Sequence, residues 1–440
     1  MKSTSLGFVG LSTLITTAAA VIALTAACAQ QNKDDDDADG GSTSSGGASS
    51  SGGIGDGGPG SSSGNSSGGS TSSGAPIGSC STATLWAGNP TFDAPDPSTR
   101  PTDGTGILAD PPFQWGSLTF VGNTLFTRDT GEIWYVDTSA ASPVEKHLIG
   151  KNAGDETKIK FGACNAALLG AIQGMAVLKD GSLVAPDAWA NDVIHIKDPQ
   201  GAGCTVESWA GTKDDVTFTG TNYPNLGDID GPLGTSKIGY PTAVATDGTD
   251  TVYFYDGQAR KFKKIANDAT HTVSTIGKMP DDLDICYGMI NIGSTIYALG
   301  YGTSADGSVT NIYKIDGTNI TKVGGGTADY WGLGTTPQLG GITTDGTNII
   351  VAGMGYMWLV TLSDAKAKVI AGSGERVDLV KAGYDPKASH PALEVTLKPK
   401  GSASFASVGS PDYLAFKDGA VYYRGHGVST ASYVEKIQCQ

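Results

Sequence analysis

The side chains best suited to acid–base or metal chemistry in this 440-residue chain are five histidines. No two of them have the spacing of a zinc site, and the chain contains no H-E-x-x-H segment. It also contains no G-x-S-x-G nucleophile and no Walker phosphate loop. The sequence therefore predicts neither a catalytic residue nor a bound cofactor. The histidines are His147, His195, His271, His390 and His426.

Two acidic clusters could attract a cation. They are residues 228–230 and residues 281–284, both in predicted loops. Neither has the ligand spacing of an EF-hand. Solvated loop charge is the simpler interpretation, so we predict no metal site. Calcium or zinc binding is left open, with no motif in its favour.

A third group of candidates consists of aromatic and basic residues in predicted loops. Aromatic rings and arginine at such positions suit contact with a protein or a glycan. The alternative is that several of them pack between structural units. The candidates for a binding face are Trp189, Tyr223, Tyr330, Trp331, Tyr356, Arg424 and His426.

A repeat defines the elements that position these residues. Six times a short apolar run meets a glycine-containing turn and then a second apolar run. Such self-similarity predicts a β-propeller. The six segments are residues 118–129, 175–187, 243–256, 289–302, 341–355 and 414–427.

Each repeat continues into a third apolar stretch, and five of the six continue into a fourth that ends on glycine. The sixth has no fourth stretch because the chain ends at Gln440. Residues 82–88 (TATLWAG) are similar to residues 205–211 (TVESWAG), a fourth stretch. We therefore predict an all-β, six-bladed β-propeller of four-stranded blades, in which the N-terminal strand completes the last blade. Closure of this kind leaves no long exposed strand edge.

The cysteines support the same closure. Cys80 precedes the N-terminal strand and Cys439 follows the last third strand, so a closed ring brings them together. We predict a disulfide between them, and a second between Cys164 and Cys204 around the second repeat. Cys286 is then left as a small buried apolar residue.

The N-terminal region predicts export. Residues 1–27 have the charge and apolar pattern of a signal peptide, too short and too rich in small residues for a membrane span. The segment Leu24-Thr25-Ala26-Ala27-Cys28 resembles a bacterial lipobox, which predicts lipidation of Cys28; ordinary cleavage near this position is the alternative. Residues 28–79 then comprise the lipidated cysteine and a disordered Ser/Gly-rich tether. The propeller domain comprises residues 80–440.

The second and third repeats resemble the NHL repeat. In that family a strand ending in Ala-Gly is followed by a loop with Asp-Gly and a proline that begins the next blade. Here these are Ala210-Gly211, Asp230-Gly231 and Pro241, and Asp187 and Asn191 match the polar turn positions. We interpret those two side chains as backbone-binding turn residues rather than ligands.

The resemblance implies a six-bladed propeller and leaves two functions open. One is an envelope-anchored module that binds a protein or a glycan, or acts as a scaffold. The alternative is a metal-dependent lyase or hydrolase at the axial mouth, for which no histidine or Glu/Asn/Asp ligand set can be placed. A net charge of −15 argues against a nucleic-acid partner. We expect a monomer, lipid-anchored at the outer membrane or cell surface, or otherwise secreted.

Overall fold

The computed structural model describes the part of the chain that forms the propeller. Cys28, the signal segment, residues 29–75 of the predicted tether and Tyr223 lie outside the described residues, as does the side chain of His426. Residues 76–79, at the end of the predicted tether, are described, and Ile77 is 4% exposed. The described residues are 76–88, 117–129, 131–140, 145–150, 158–211, 213–217, 226–305, 307–337, 339–374, 388–395, 413–426 and 432–440.

Antiparallel four-stranded sheets form the six blades of a β-propeller. The N-terminal strand is β1 (Cys80–Gly88). Blade 1 comprises β2 (Leu118–Val121), β3 (Thr124–Asp129), β4 (Glu132–Asp137) and β5 (Glu145–Ile149). An insertion adds β6 (Lys158–Ile159), β7 (Gly162–Ala163) and a 3₁₀ turn (Cys164–Ala166). Blade 2 comprises β8 (Ala176–Val177), β9 (Leu183–Asp187), β10 (Asp192–Lys197) and β11 (Thr205–Ala210).

The remaining blades repeat this order. After β12 (Val216–Thr217), which pairs with β6, blade 3 comprises β13 (Pro241–Thr246), β14 (Val252–Asp256), β15 (Lys261–Ile265) and β16 (Val273–Lys278). Blade 4 comprises β17 (Ile285–Ile292), β18 (Thr295–Ser304), β19 (Gly307–Asp316) and β20 (Asn319–Gly326). Helix α1 (Ala328–Trp331) leads to blade 5, with β21 (Gly341–Thr344), β22 (Ile349–Gly353), β23 (Tyr356–Thr361) and β24 (Lys366–Ala371). After β25 (His390–Pro391), blade 6 comprises β26 (Tyr413–Lys417), β27 (Ala420–His426) and β28 (Ser432–Cys439).

The predicted ring closure is confirmed. Strand β1 pairs antiparallel with β28 and supplies the fourth strand of blade 6, with Ala83 opposite Ile437. Cys80 lies opposite Cys439, and the two form a disulfide. Beyond the disulfide, the amide of Gly78 donates to the carbonyl of Gln440 at 2.7 Å. The two ends of the domain are therefore held by main-chain bonds and by a covalent bond.

Two blades have a fifth strand that the sequence did not predict. Strand β25 pairs with the outer edge of β1, and β7 pairs with the outer edge of β11. Both come from insertions between blades. The amide of Ala392 donates to the carbonyl of Ser81 at 3.0 Å, so the N-terminal strand is held on both edges. The predicted Cys164–Cys204 disulfide forms beside β7, and Cys286 is a buried free thiol.

Apolar side chains from adjacent sheets fill the spaces between blades. Between blades 5 and 6, for example, Ile350 and Met357 pack with Phe416 and Tyr423 in one buried cluster. Between blades 4 and 5, Trp358 is buried with Leu299. The middle strands are buried on both faces, as in β9 and β22, which explains their continuous apolar runs. Among the described residues, no helix has the length and hydropathy of a membrane span.

Candidate functional site

The ring has two chemically different faces. Hairpin turns joining first to second strands and third to fourth strands lie on one face, which we call the turn face. Connections between blades, and turns between second and third strands, lie on the other, the loop face. The innermost strands enclose an axial cavity of about 90 Å³. Three residues from each of β2, β8, β13, β17, β21 and β26, or directly adjoining them, line this cavity.

The lining of the axial cavity is mainly apolar. Thr119 donates through its hydroxyl to the carbonyl of Met175 at 3.1 Å, so this polar group links neighbouring blades. Asn291 is 5% exposed; its Nδ2 donates to Gly293, while its Oδ1 has no hydrogen-bond partner. A cavity of this size can hold ordered water. Its walls offer no acid–base pair.

The polar turn residues bind backbone, as the sequence predicted. The carboxylate of Asp187, which is fully buried, accepts the amides of Gly170, Ala171 and Ala190 at 2.6, 2.9 and 3.1 Å. Burial raises the pKa of Asp187, and these amides oppose that shift. Asn191, with a positive φ of 51°, accepts the amide of Tyr240 at 2.9 Å. Both side chains therefore fix connections on the loop face.

The first acidic cluster surrounds a buried lysine. The Nζ of Lys263, whose side chain is 0% exposed, lies 2.7 Å from Asp228 Oδ1 and 3.1 Å from Asp256 Oδ2. Burial opposes its charge, but these carboxylates raise the pKa of Lys263 overall. Asp230 accepts the amide of Thr275 at 2.7 Å. The cluster thus anchors the loop between blades 2 and 3 to blade 3.

The second acidic cluster is also bound to protein groups. Asp282 accepts hydrogen bonds from Asn311 Nδ2 at 2.8 Å and from Tyr313 Oη at 3.0 Å. Asp284 lies 3.6 Å from Arg260, and Asp281 lies 3.3 Å from Lys278. Within the described ranges, no group of three His, Cys, Asp or Glu side chains is arranged to hold a metal ion.

One histidine has distances that resemble those of a catalytic triad. His195 Nε2 lies 2.8 Å from Ser182 Oγ, and Nδ1 lies 3.0 Å from Glu207 Oε1. Ser182, however, is only 3% exposed and its Oγ lies 2.5 Å from Asp180 Oδ1. A substrate cannot approach so buried a hydroxyl. The ring of Trp209 contacts that of His195, so the network supports blade 2 rather than catalysis.

The five predicted binding-face residues whose side chains the structure describes are all buried or half-buried. Trp331 and Arg424 are each 2% exposed, and Arg424 donates to the carbonyl of Arg128 at 3.3 Å. Tyr330 is half-buried and donates through Oη to the carbonyl of Ala365 at 2.8 Å. The other two described side chains are half-buried: Trp189 packs beside Ile159, and Tyr356 packs beside Trp358.

Blade 4 carries loop-face residues that the sequence interpretation missed. Strands β18 and β19 have ten residues each, whereas β22 and β23 of blade 5 have five and six. The blade 4 hairpin therefore extends beyond blade 5 on the loop face. It carries Tyr301, whose Oη donates to Ser308 Oγ at 3.1 Å. The available signal was Asp306-Gly307, a dipeptide typical of hairpin turns.

No protein-family model matches the chain, and no curated protein matches it. A solved protein of unknown function from Bacteroides thetaiotaomicron is 13% identical, with a TM-score of 0.48, covering 82% of this chain and 77% of that one. An auxiliary nutrient binding protein from Bacteroides ovatus is 9% identical, with a TM-score of 0.45 and coverage of 82% and 78%. A putative gluconolactonase is 13% identical, with a TM-score of 0.45 and coverage of 82% and 98%. These likenesses carry no argument about activity.

Proposed function

We propose that this protein is a binding module, anchored to a bacterial envelope through Cys28, that uses the loop face of its propeller. The proposal rests on the contact that Ile77, near the start of the described chain, makes with the propeller. The amide of Ile77 donates to Asp345 Oδ2 at 2.9 Å, and Ile77 is 4% exposed. Asp345 follows β21, in a first-to-second-strand turn on the turn face.

The contact of Ile77 on the turn face distinguishes the face that carries the attachment from the face that is free to bind a partner. Ile77 therefore lies on the turn face, and β1 then runs toward the loop face. A Ser/Gly-rich tether of about 50 residues has a root-mean-square span of about 35–42 Å. With Cys28 lipidated, a coil of this span attaches the propeller through its turn-face end and leaves it free to rotate above the membrane. The loop face is left to meet a partner.

The polar chemistry of the described residues favours binding over catalysis. The acidic side chains that could act as ligands bind protein groups instead. Asp187 accepts three backbone amides, and Asp228 pairs with Lys263. Asp282 accepts hydrogen bonds from Asn311 and Tyr313. Such bonds fix the connections that carry the loop face. A rigid scaffold with ordered loops is the usual basis of a recognition surface. The partner class is protein or carbohydrate, and the module acts as a monomer.

Photo-cross-linking from the two ends of blade 4 tests the proposal. Thr303 and Thr318 are both exposed threonines, one on the loop-face hairpin and one on the turn face. A photo-reactive residue is placed at each position in the full-length protein in its own cells. We expect cross-linked species of higher mass from position 303 and not from position 318. Equal yields, or none from position 303, would contradict binding by the loop face.

Fractionation of the same cells tests whether a lipid on Cys28 is the membrane anchor. A Cys28→Ala variant lacks the acceptor for the lipid, so we expect it in the soluble fraction after membranes are sedimented. The parent protein should sediment with membranes and enter detergent. If the variant sediments like the parent, the anchor is not a lipid on Cys28.

A further inference from the structure

The first described residues bind the C-terminal end of the domain. The amides of Gly78 and Ser79 both donate to the carbonyl of Gln440, at 2.7 and 3.2 Å, and the amide of Gln440 donates to the carbonyl of Ser79 at 2.9 Å. Lys368 Nζ, on β24, donates to the carbonyl of Gly78 at 3.1 Å. Ile77 is buried in the cluster between blades 5 and 6. The chain is therefore fixed to two blades before β1 begins.

The disulfide comes next along the chain. Cys80 and Cys439 are bonded at the first pair of the β1–β28 register. A pull on the predicted tether that breaks the preceding contacts therefore reaches a covalent bond before it reaches the hydrogen bonds between β1 and β28. At Cys80 the load divides between β1 and, through the disulfide, β28. We call residues 77–80, 439 and 440 the terminal clasp.

The direction of β1 determines how such a load acts. Strand β1 runs from the turn face, where Ile77 binds Asp345, toward the loop face. A pull between the tether and a partner on the loop face is therefore parallel to this strand. Because the hydrogen bonds of antiparallel strands are perpendicular to the strand direction, such a pull loads them together rather than one after another. Strand β1 has neighbours on both edges, β28 and β25.

The disulfide also determines which strands must move. Residues 80–117 lead from the disulfide to β2 of blade 1 and are about 130 Å long when extended at about 3.4 Å per residue. Without the disulfide, β1 can leave blade 6 alone, and blade 1 bears no load until that length is used. With the disulfide, Cys80 moves away only if β28 moves as well. Residues 427–439 lead from β27 to the disulfide and are only about 45 Å long when extended.

Strand β28 adds its own burial to the resistance. Val434 is 6% exposed and Ile437 is 0% exposed, and β28 pairs with β27 on the edge away from β1. Withdrawing both strands exposes these two side chains in addition to Ala83 and Leu85 of β1, and exposing apolar area costs free energy. The two strands together should therefore resist a higher force than β1 alone.

We propose that the terminal clasp carries mechanical load. Tension that arrives through the tether passes through the Cys80–Cys439 disulfide into β1 and β28 together, so neither strand is withdrawn alone. This inference rests on the proposed function, in which a partner on the loop face pulls against a lipid on Cys28. It gives the disulfide a role in the folded, anchored protein, in addition to its effect on the unfolded chain.

Single-molecule pulling tests the clasp with the full chain made soluble by Cys28→Ala. One handle is attached at the N-terminus and the other at a clickable residue in place of Thr303, which is exposed on the loop face. Serine replaces both Cys80 and Cys439 in the test variant. Its first event should release about 130 Å of chain, at a force about 1.5-fold lower than the first event of the parent. The parent should release no such length before the whole domain unfolds.

The matched control replaces Cys164 and Cys204 by serine. Their disulfide lies in blade 2, outside the path of the load, so the first event of the control should equal that of the parent. If the test variant does not fold, the control protein is folded first and then reduced, which opens the Cys80–Cys439 bond and gives the same comparison.

Two outcomes would overturn the inference. They are equal first events in the parent and the test variant, and a first release of about 130 Å from the oxidised parent. Both handles are on soluble protein, so the result depends on neither a lipid nor a partner. Failed cross-linking from position 303 would therefore contradict the proposed function without changing this measurement.

Discussion

Replacing both Cys80 and Cys439 by serine is expected to lower the free energy of unfolding by about 6 kcal/mol on the loop-entropy relation. The disulfide joins residues 359 positions apart, so it removes more entropy from the unfolded chain than a short loop would. Without it, β1 is held to blade 6 by its hydrogen bonds and by the packing of side chains such as Ala83, Leu85 and Trp86. Denaturant unfolding under non-reducing conditions measures the loss.

The second disulfide provides the matched control. Cys164 and Cys204 are 40 positions apart, and the same entropy relation predicts a loss of about 4 kcal/mol for their double serine variant. Loss of the Cys80–Cys439 disulfide should therefore lower the free energy of unfolding more than loss of the Cys164–Cys204 disulfide. A smaller loss for the Cys80 and Cys439 variant than for this control would mean that the bond does not stabilise the closed ring.

Glu435→Gln is expected to stabilise the protein at alkaline pH by about 5 kcal/mol. Glu435 is 3% exposed, and it lies between Tyr423 on β27 and Leu85 on β1 in the strand register. Burial raises the pKa of this carboxyl from 4.5 to about 8. The folded state therefore holds a proton that the unfolded state releases, and stability falls as pH rises from about 4.5 to about 8. Glutamine has the same shape and no charge.

The measurement is the free energy of unfolding from pH 4 to pH 9 for parent and variant. The two curves should converge near pH 4, where the parent carboxyl is protonated in both states. They should separate progressively up to about pH 8. The matched control is Glu394→Gln, which changes an exposed carboxylate. A difference that stays constant with pH for Glu435→Gln would show that Glu435 is not a buried, neutral carboxyl.

The architecture was predictable because it repeats. Glycine turns and alternating apolar runs report backbone geometry locally, so the first and second strands of each blade were located within a few residues. The position of β1 followed from counting fourth strands, and the pairing of Cys80 with Cys439 followed from that position. The role of Asp187 was also predictable, because a short carboxylate at a turn reaches nearby amides.

The loop face was not predictable to the same degree. Strands β7 and β25 lie in insertions, where pairing depends on contacts far away in sequence rather than on local pattern. Whether an aromatic side chain in a loop is buried depends on the neighbouring blade. The sequence therefore indicated that Trp331 lies in a loop, but it could not show that the side chain is buried. The longer hairpin of blade 4 depends on the length of β18 relative to β22, a difference visible only when two blades are compared.

The central claim is that the N-terminal strand closes the last blade, because this closure determines where the tether leaves and which face remains for a partner. Peptide mass mapping without reduction, on protein isolated from cell envelopes, tests it most directly. We expect the peptides containing Cys80 and Cys439 to be recovered as one disulfide-linked species. Recovery of both cysteines as free thiols, or of either one joined to a different cysteine, would contradict the closed ring.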